Sequence, residues 1–235
     1  MPTAQEIIDL VNTFTQKLED LRNGVNRIID MLPWGMGWVG DKIRDAWNWL
    51  MDKVSSVWDP IVYYFSNLGS PSSLSAAADQ WSSAVGGPVS GRVGVADLGS
   101  LAVDDNWSGS AAEQYRQKVP LQKTALTSIK TTFTDGISTA LKDLSSAIIQ
   151  FWVSCLAALG ALIAAAITAV ASTATIFGAP AAPFILGGGV AIFGIAFWGA
   201  NEIFLGQGRG ANSTLTQKLN DNTGYPGGNW PVAAV

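Results

Sequence analysis

Between Asp143 and Glu202 the chain carries no charged residue. That uncharged run of 58 residues constrains the fold more than any other feature. A soluble domain of ordinary composition is about one quarter charged, and this chain as a whole is 14% charged. Residues 147–171 and 184–205 are each long and apolar enough to cross a bilayer core, which needs about 20 helical residues. Gly178-Ala-Pro-Ala-Ala-Pro183 lies between them and reads as a tight turn, with Pro180 and Pro183 as breakers. The expectation is a transmembrane-type helical hairpin over 146–205 with both ends on one side and membrane lipid as partner. Small residues, among them Gly160, Gly188 and Gly194, let helices approach closely in lipid. Trp152 and Trp198 are candidate interface anchors. Lys118, Lys123, Lys130 and Lys142 precede the hairpin, and Arg209 and Lys218 follow it. If inserted by the ordinary route, both ends stay in the cytoplasm. The same run can also sit inside a soluble bundle, or be shielded first and inserted later.

The rest of the chain reads as helical hairpins, so the expected class is all-α. Residues 3–32 form one helix opened by a capping box, Thr3-Ala-Gln-Glu6. Ile7, Val11, Phe14, Leu18, Leu21, Val25 and Ile28 then alternate at spacings of four and three. A seam this regular wants a partner helix, either within a bundle or in a second copy, which makes a homo-oligomer an expected partner. Pro33 to Gly40 breaks the helix, and a second one follows over 41–58, ending before Pro60. Residues 1–68 are thus a Trp-rich hairpin in which Trp34, Trp38, Trp49 and Trp58 lie off the seams. Ser70-Pro71 opens a short helix to about residue 85, and the glycine-rich stretch 86–106 reads as a loop. Ser110-Ala-Ala-Glu113 is a second capping box, and Pro120 is expected to bend the helix it opens, within a second hairpin over 71–145. The tail, 206–235, reads as extended or weakly ordered, a flexible tail.

Composition excludes several functions. The chain has no His and one Cys, so a His-based triad, a His/Cys zinc site and an internal disulfide are impossible. The net charge of −4 gives no global attraction to nucleic acid. Asp104 and Asp105 could be imagined as a carboxylate pair, but adjacent acids before a helix compensate its dipole more simply. No phosphate loop or nucleophile elbow is present. The expectation is a non-enzymatic protein without metal or cofactor. The N-terminal MPTAQEIIDLV lacks the basic segment and apolar core of a secretory signal, so export is expected to take another route.

Two Trp-x-Gly triplets occur, Trp38-Val-Gly40 and Trp107-Ser-Gly109. The second continues as "WSGSAAEQY", behind an Ala-rich helix with "AAADQW". This stretch resembles the WXG100 (ESX-type) family of type VII secretion substrates, and the actinobacterial members most. The residues that carry the likeness are Trp107, Gly109, Ala111, Ala112 and Tyr115, within residues 71–145. The resemblance implies a helical hairpin that pairs with itself or with a second hairpin of the same type. It also implies signal-peptide-independent export by the type VII machinery. Combined with the apolar hairpin, it implies a membrane-inserting, oligomeric or pore-forming protein, or else a membrane-anchored chaperone or scaffold for a secreted partner. Members are usually much shorter than this chain. Their export motif, Tyr-x-x-x-Asp/Glu, has no match here: the residues four beyond the tyrosines are Asn67, Leu68, Val119 and Asn229. Either a partner supplies that motif, or this chain is not the recognised one.

Overall fold

The computed structural model describes residues 4–67, 69–101, 106–173 and 179–232. Thr3, Asp104, Asp105 and Gly178 lie outside the described residues, as does the side chain of Ile7. The protein is all-α, with no strand among the described residues. In chain order the helices are α1 (Ala4–Asp30), α2 (Gly37–Asn67), α3 (Pro71–Gln80), α4 (Gly87–Val95), α5 (Ser110–Ser128), α6 (Asp135–Ser172) and α7 (Ala182–Leu219). Two six-residue π-helical stretches, Trp81–Gly86 and Ile129–Thr134, join α3 to α4 and α5 to α6. The chain forms two compact units, each assembled from two stretches: Met1–Gly69 with Ile148–Leu205, and Ser70–Ala147 with Gly206–Val235.

In the first unit, α1 and α2 pack with the apolar parts of α6 and α7. The α1 seam is buried inside this unit. Phe14, Leu21, Val25 and Ile28 are at most 5% exposed, and Val11 and Leu18 are half-buried. In this packing the seam is therefore not a self-association surface. Phe14 meets Trp58 at 4.9 Å between ring centroids, and Trp58 meets Phe193 at 6.3 Å. That wedge of aromatics accounts for a departure from expectation: α2 runs on through Pro60 to Asn67. A proline inside a helix costs a hydrogen bond and a clash, and packing around Trp58 offsets that cost.

The turn between α1 and α2 also differs from expectation. Gly35 takes a φ of +90°, and the Met36 N–H donates to the Pro33 carbonyl at 3.1 Å. Trp38 and Gly40 lie within the first turn of α2 rather than forming the corner. Trp38 is 68% exposed. Gly40 is buried, and a Cβ there would sit 3.3 Å from Leu32 Cδ1, so its role is close packing under the end of α1.

The second unit pairs α3 and α4 with α5 and the start of α6. The Ser70 hydroxyl accepts from the Ser73 N–H at 3.3 Å ahead of Pro71, so the N-cap with proline at the first helical position forms. Hydroxyls line the interface. Ser75 and Ser145 bond at 3.0 Å, Ser145 donates to the Pro71 carbonyl at 2.8 Å, and Ser82 donates to Ser138 at 3.0 Å. The stretch read as a loop over 86–106 is helical through Val95. Glycine is a poor helix former, but α4 packs on α5 with Val89 and Val93 half-buried, and tertiary contact overrides the local preference. The tail also departs from expectation. Residues 206–219 continue α7 despite three glycines, and beyond it the chain lies against α5. The Tyr225 hydroxyl donates to the Ala125 carbonyl at 3.2 Å, and Gln122 donates to the Pro231 carbonyl.

Candidate functional site

The apolar parts of α6 and α7 present one face to their own unit and leave the other open. On α7, the buried positions Pro183, Leu186, Gly187, Val190, Phe193, Gly194, Phe197 and Asn201 recur every three or four residues. The exposed positions between them are Phe184, Gly188, Ala191, Ile192, Ile195, Ala196, Trp198 and Gly199, none of them polar beyond the indole. Ile192 is 67% exposed and Ile195 76%. On α6, Val153, Ala157, Gly160, Ala161, Ala164, Ile167 and Ala171 are exposed. The hydroxyls beside them turn back on their own helix. Ser154 donates to the Gln150 carbonyl at 3.0 Å, and Thr168 to the Ala164 carbonyl at 2.9 Å. A helix in water ordinarily turns polar residues outward, as α1 does with Glu19, Arg22, Arg27 and Asp30. The open face of α6 and α7 inverts that rule.

The same face carries a shallow apolar groove of about 310 Å³ between the two helices, lined by residues that include Ala158, Ala161, Ala165, Gly188, Gly189 and Ile192. Two glycines set how close neighbouring helices come. A Cβ on Gly189 would meet Ala165 Cβ at 2.6 Å, and one on Gly187 would meet the Trp49 ring at 2.5 Å. Gly160 and Gly188, expected to act in close approach, face open space, and Gly194 is buried. Spacing alone does not tell which glycine of Gly187-Gly-Gly189 faces a neighbour. Pro180 lies in a short 3₁₀ turn, Ala179–Ala181, and Pro183 is buried in the first turn of α7, where a proline lacks nothing the helix needs.

Of the two expected anchors, Trp198 is at the surface, 42% exposed and edge-on to Phe197 with centroids 5.5 Å apart. Trp152 is 8% exposed and belongs to the buried stripe with Ile148, Cys155 and Leu159, so here it is a core residue. Its indole N–H has no hydrogen-bond partner, and neither has the Asn201 side-chain carbonyl. Phe151 packs on both Phe197 and Phe204 at 5.6 Å, which puts Trp152 and Asn201 at one level near the open end of the hairpin. Asn201 escaped the sequence reading, although it is the one amide within 184–205.

At the Trp-Ser-Gly turn, Gly109 holds a φ of +105° and caps α5 through its carbonyl, which accepts from the Glu113 N–H at 3.1 Å. Ser110 is the first helical residue and makes no side-chain cap. The expected capping box is replaced by an ion pair, because Glu113 turns to Arg116 at 2.8 Å. Arg116 also donates to the Trp107 carbonyl at 3.1 Å. The Trp107 ring, 45% exposed, folds onto Tyr115 at 5.7 Å. Ala112 is fully buried and Ala111 exposed. The motif residues thus come together at one helix start, where the turn, the ring pair and Arg116 orient the chain entering α5.

Two helical stretches, Ser110–Ser172 and Ala182–Leu219, are long and apolar enough to cross a membrane, and 28% and 44% of their most apolar windows are buried. Among the described residues no group of three side chains could hold a metal ion. No family model, curated protein or solved structure matches the chain.

Proposed function

We propose that the chain is a WXG100-like, type VII secretion-associated protein that inserts its apolar helical hairpin into a membrane and acts there as a pore-forming or membrane-bound oligomer. One observation carries the membrane part: the solvent-facing side of α6 and α7 has no charged residue from Phe151 to Asn201, and Ser154 and Thr168 on it are satisfied by their own helix. Spanning segments must satisfy their polar groups internally, and this face does so. Moving a side chain such as Ile192 or Ile195 from water into hydrocarbon contributes about 1.5–3 kcal/mol. The secretion part rests on Trp107, Gly109, Ala112 and Tyr115 around the start of α5, together with the helical pair they open.

The test is flotation of the purified protein with dye-loaded phosphatidylcholine vesicles. The expected result is a carbonate-resistant vesicle fraction with dye release. Protein that stays at the bottom of the gradient overturns the membrane reading. Stable flotation without dye release favours the second reading, an anchored scaffold or chaperone for a secreted helical partner. Co-purification of a small helical protein carrying Tyr-x-x-x-Asp/Glu would support the secretion assignment.

A further inference from the structure

We infer that α1 and α2 form a releasable cover over one side of the hairpin, and that the hairpin spans a bilayer only after this pair has left it. The inference rests on the membrane reading above. The cover and the hairpin are opposite in charge content. The helices α1 and α2 hold fifteen charged residues, whereas the hairpin holds none between Asp143 and Glu202.

The contacts show where those charges sit. At its closed end the hairpin touches α1: a Cβ on Gly24 would lie 3.2 Å from Thr173 Cβ. Asp20 and Arg27 line a cleft there with Val170 and Thr173. Farther along, Trp49 of α2 packs on Phe184 at 6.0 Å and Trp58 on Phe193 at 6.3 Å. Asp52 and Lys53, both exposed, fall between those two tryptophans and so run alongside the first turns of α7. A hydrocarbon core about 30 Å thick is spanned by about 20 helical residues. With the apolar residues 184–203 of α7 in that core, the packing, if kept, places Asp52 and Lys53 inside it and Asp20 and Arg27 at its edge. Charged side chains facing lipid are strongly disfavoured, so the packed unit cannot cross intact.

The pair is suited to a second position. Both helices are amphipathic, and Trp34, Trp38 and Trp49 are exposed, which fits helices that lie along a membrane surface with their rings at the headgroup level.

A disulfide between the cover and the hairpin tests this. In a Cys155→Ala background, Gly24→Cys with Thr173→Cys places the two Cβ atoms within a few tenths of an ångström of disulfide range. The readout is carbonate-resistant flotation with phosphatidylcholine vesicles, with and without reductant. The expected outcome is at least tenfold less inserted protein when oxidised, restored by reduction. A second variant pushes the other way: the methyl group of Gly187→Ala would press on the Trp49 ring, and insertion should become several-fold faster. Equal insertion of the oxidised and reduced double-cysteine protein overturns the cover, as does a Gly187→Ala protein that inserts no faster than the parent. Failure of the Cys155→Ala parent itself to float overturns the membrane reading on which the cover depends.

Discussion

Gly109 combines a φ of +105° with a ψ of 177°, a region almost reserved for glycine. Nothing lies within 4 Å of where its Cβ would be, so Gly109→Ala introduces backbone strain without a clash. It should destabilise by about 1–3 kcal/mol. Gly91 in α4 also has open space around it but is helical. Gly91→Ala should therefore stabilise by about 1 kcal/mol. Urea unfolding followed by circular dichroism reads both, and equal signs would refute the distinction. Gly109 was legible in the sequence because a Trp-x-Gly ahead of a helix start calls for a turn. Gly35 was not, because Pro33 to Gly40 offers three glycines and only the packing of Gly40 under Leu32 decides which one turns. Charge acts at this scale too. The Lys123 ammonium bonded to Asp97, and after it the Gly99 N–H, hold the Asp97 carboxyl below its ordinary value of 3.8. Because the folded value is the lower one, the stability this contact contributes is complete above the ordinary value. It is lost as the pH falls through the folded value, below about 4. Lys123→Ala should bring Asp97 back towards its ordinary titration, measurable by NMR of its carboxyl carbon. An unchanged titration would show that Lys123 does not set it.

At the scale of elements, water and lipid make opposite demands on the same helix. Ile195 is 76% exposed, so Ile195→Lys should change stability in buffer by no more than about 0.5 kcal/mol. In a bilayer the same lysine at a helix centre costs about 2.5–3.5 kcal/mol. Retained unfolding midpoints with a loss of vesicle flotation is the expected pair of results. Unchanged flotation would place Ile195 outside the hydrocarbon. The apolar helices themselves were plain in the sequence, since their length and lack of charge are local properties. What failed was local in its reasoning as well: Pro60 did not end α2, and the glycines of 86–95 and 206–210 did not end their helices. Around Pro60 and along 86–95, packing by residues distant in sequence, such as Phe14 and Phe193 around Trp58, overrides a preference of about 1 kcal/mol per glycine or about 3 per proline. The two π-helical stretches were invisible for the same reason. They face each other through Gly86, where a Cβ would meet Thr134 Cγ2 at 2.9 Å, and no hydrophobic period encodes that meeting.

For the molecule as a whole, the question is what covers the open side of the hairpin when no lipid is present. The α1 seam is buried within its own unit, whereas Ile192, Ile195 and Ile167 present an exposed apolar face suited to association. Contiguous apolar patches beyond a few hundred Å² are rare on soluble monomers. The 24.7 kDa chain should therefore associate in detergent-free buffer and dissociate into monomers when a mild detergent takes over that face. Light scattering after size exclusion measures both states. Ile192→Lys combined with Ile195→Lys should shift the buffer sample towards monomer, because two charges on the face oppose its burial against another copy. Site-directed crosslinking separates the two surfaces the sequence left open. In the Cys155→Ala background, Ile195→Cys should form disulfide dimers in buffer. Asn12→Cys, exposed on the outer side of α1, should not. Dimers through position 12 with none through position 195 would return self-association to α1. A monodisperse monomer without detergent would mean that water alone satisfies the open face, and would remove the physical argument for lipid as its partner.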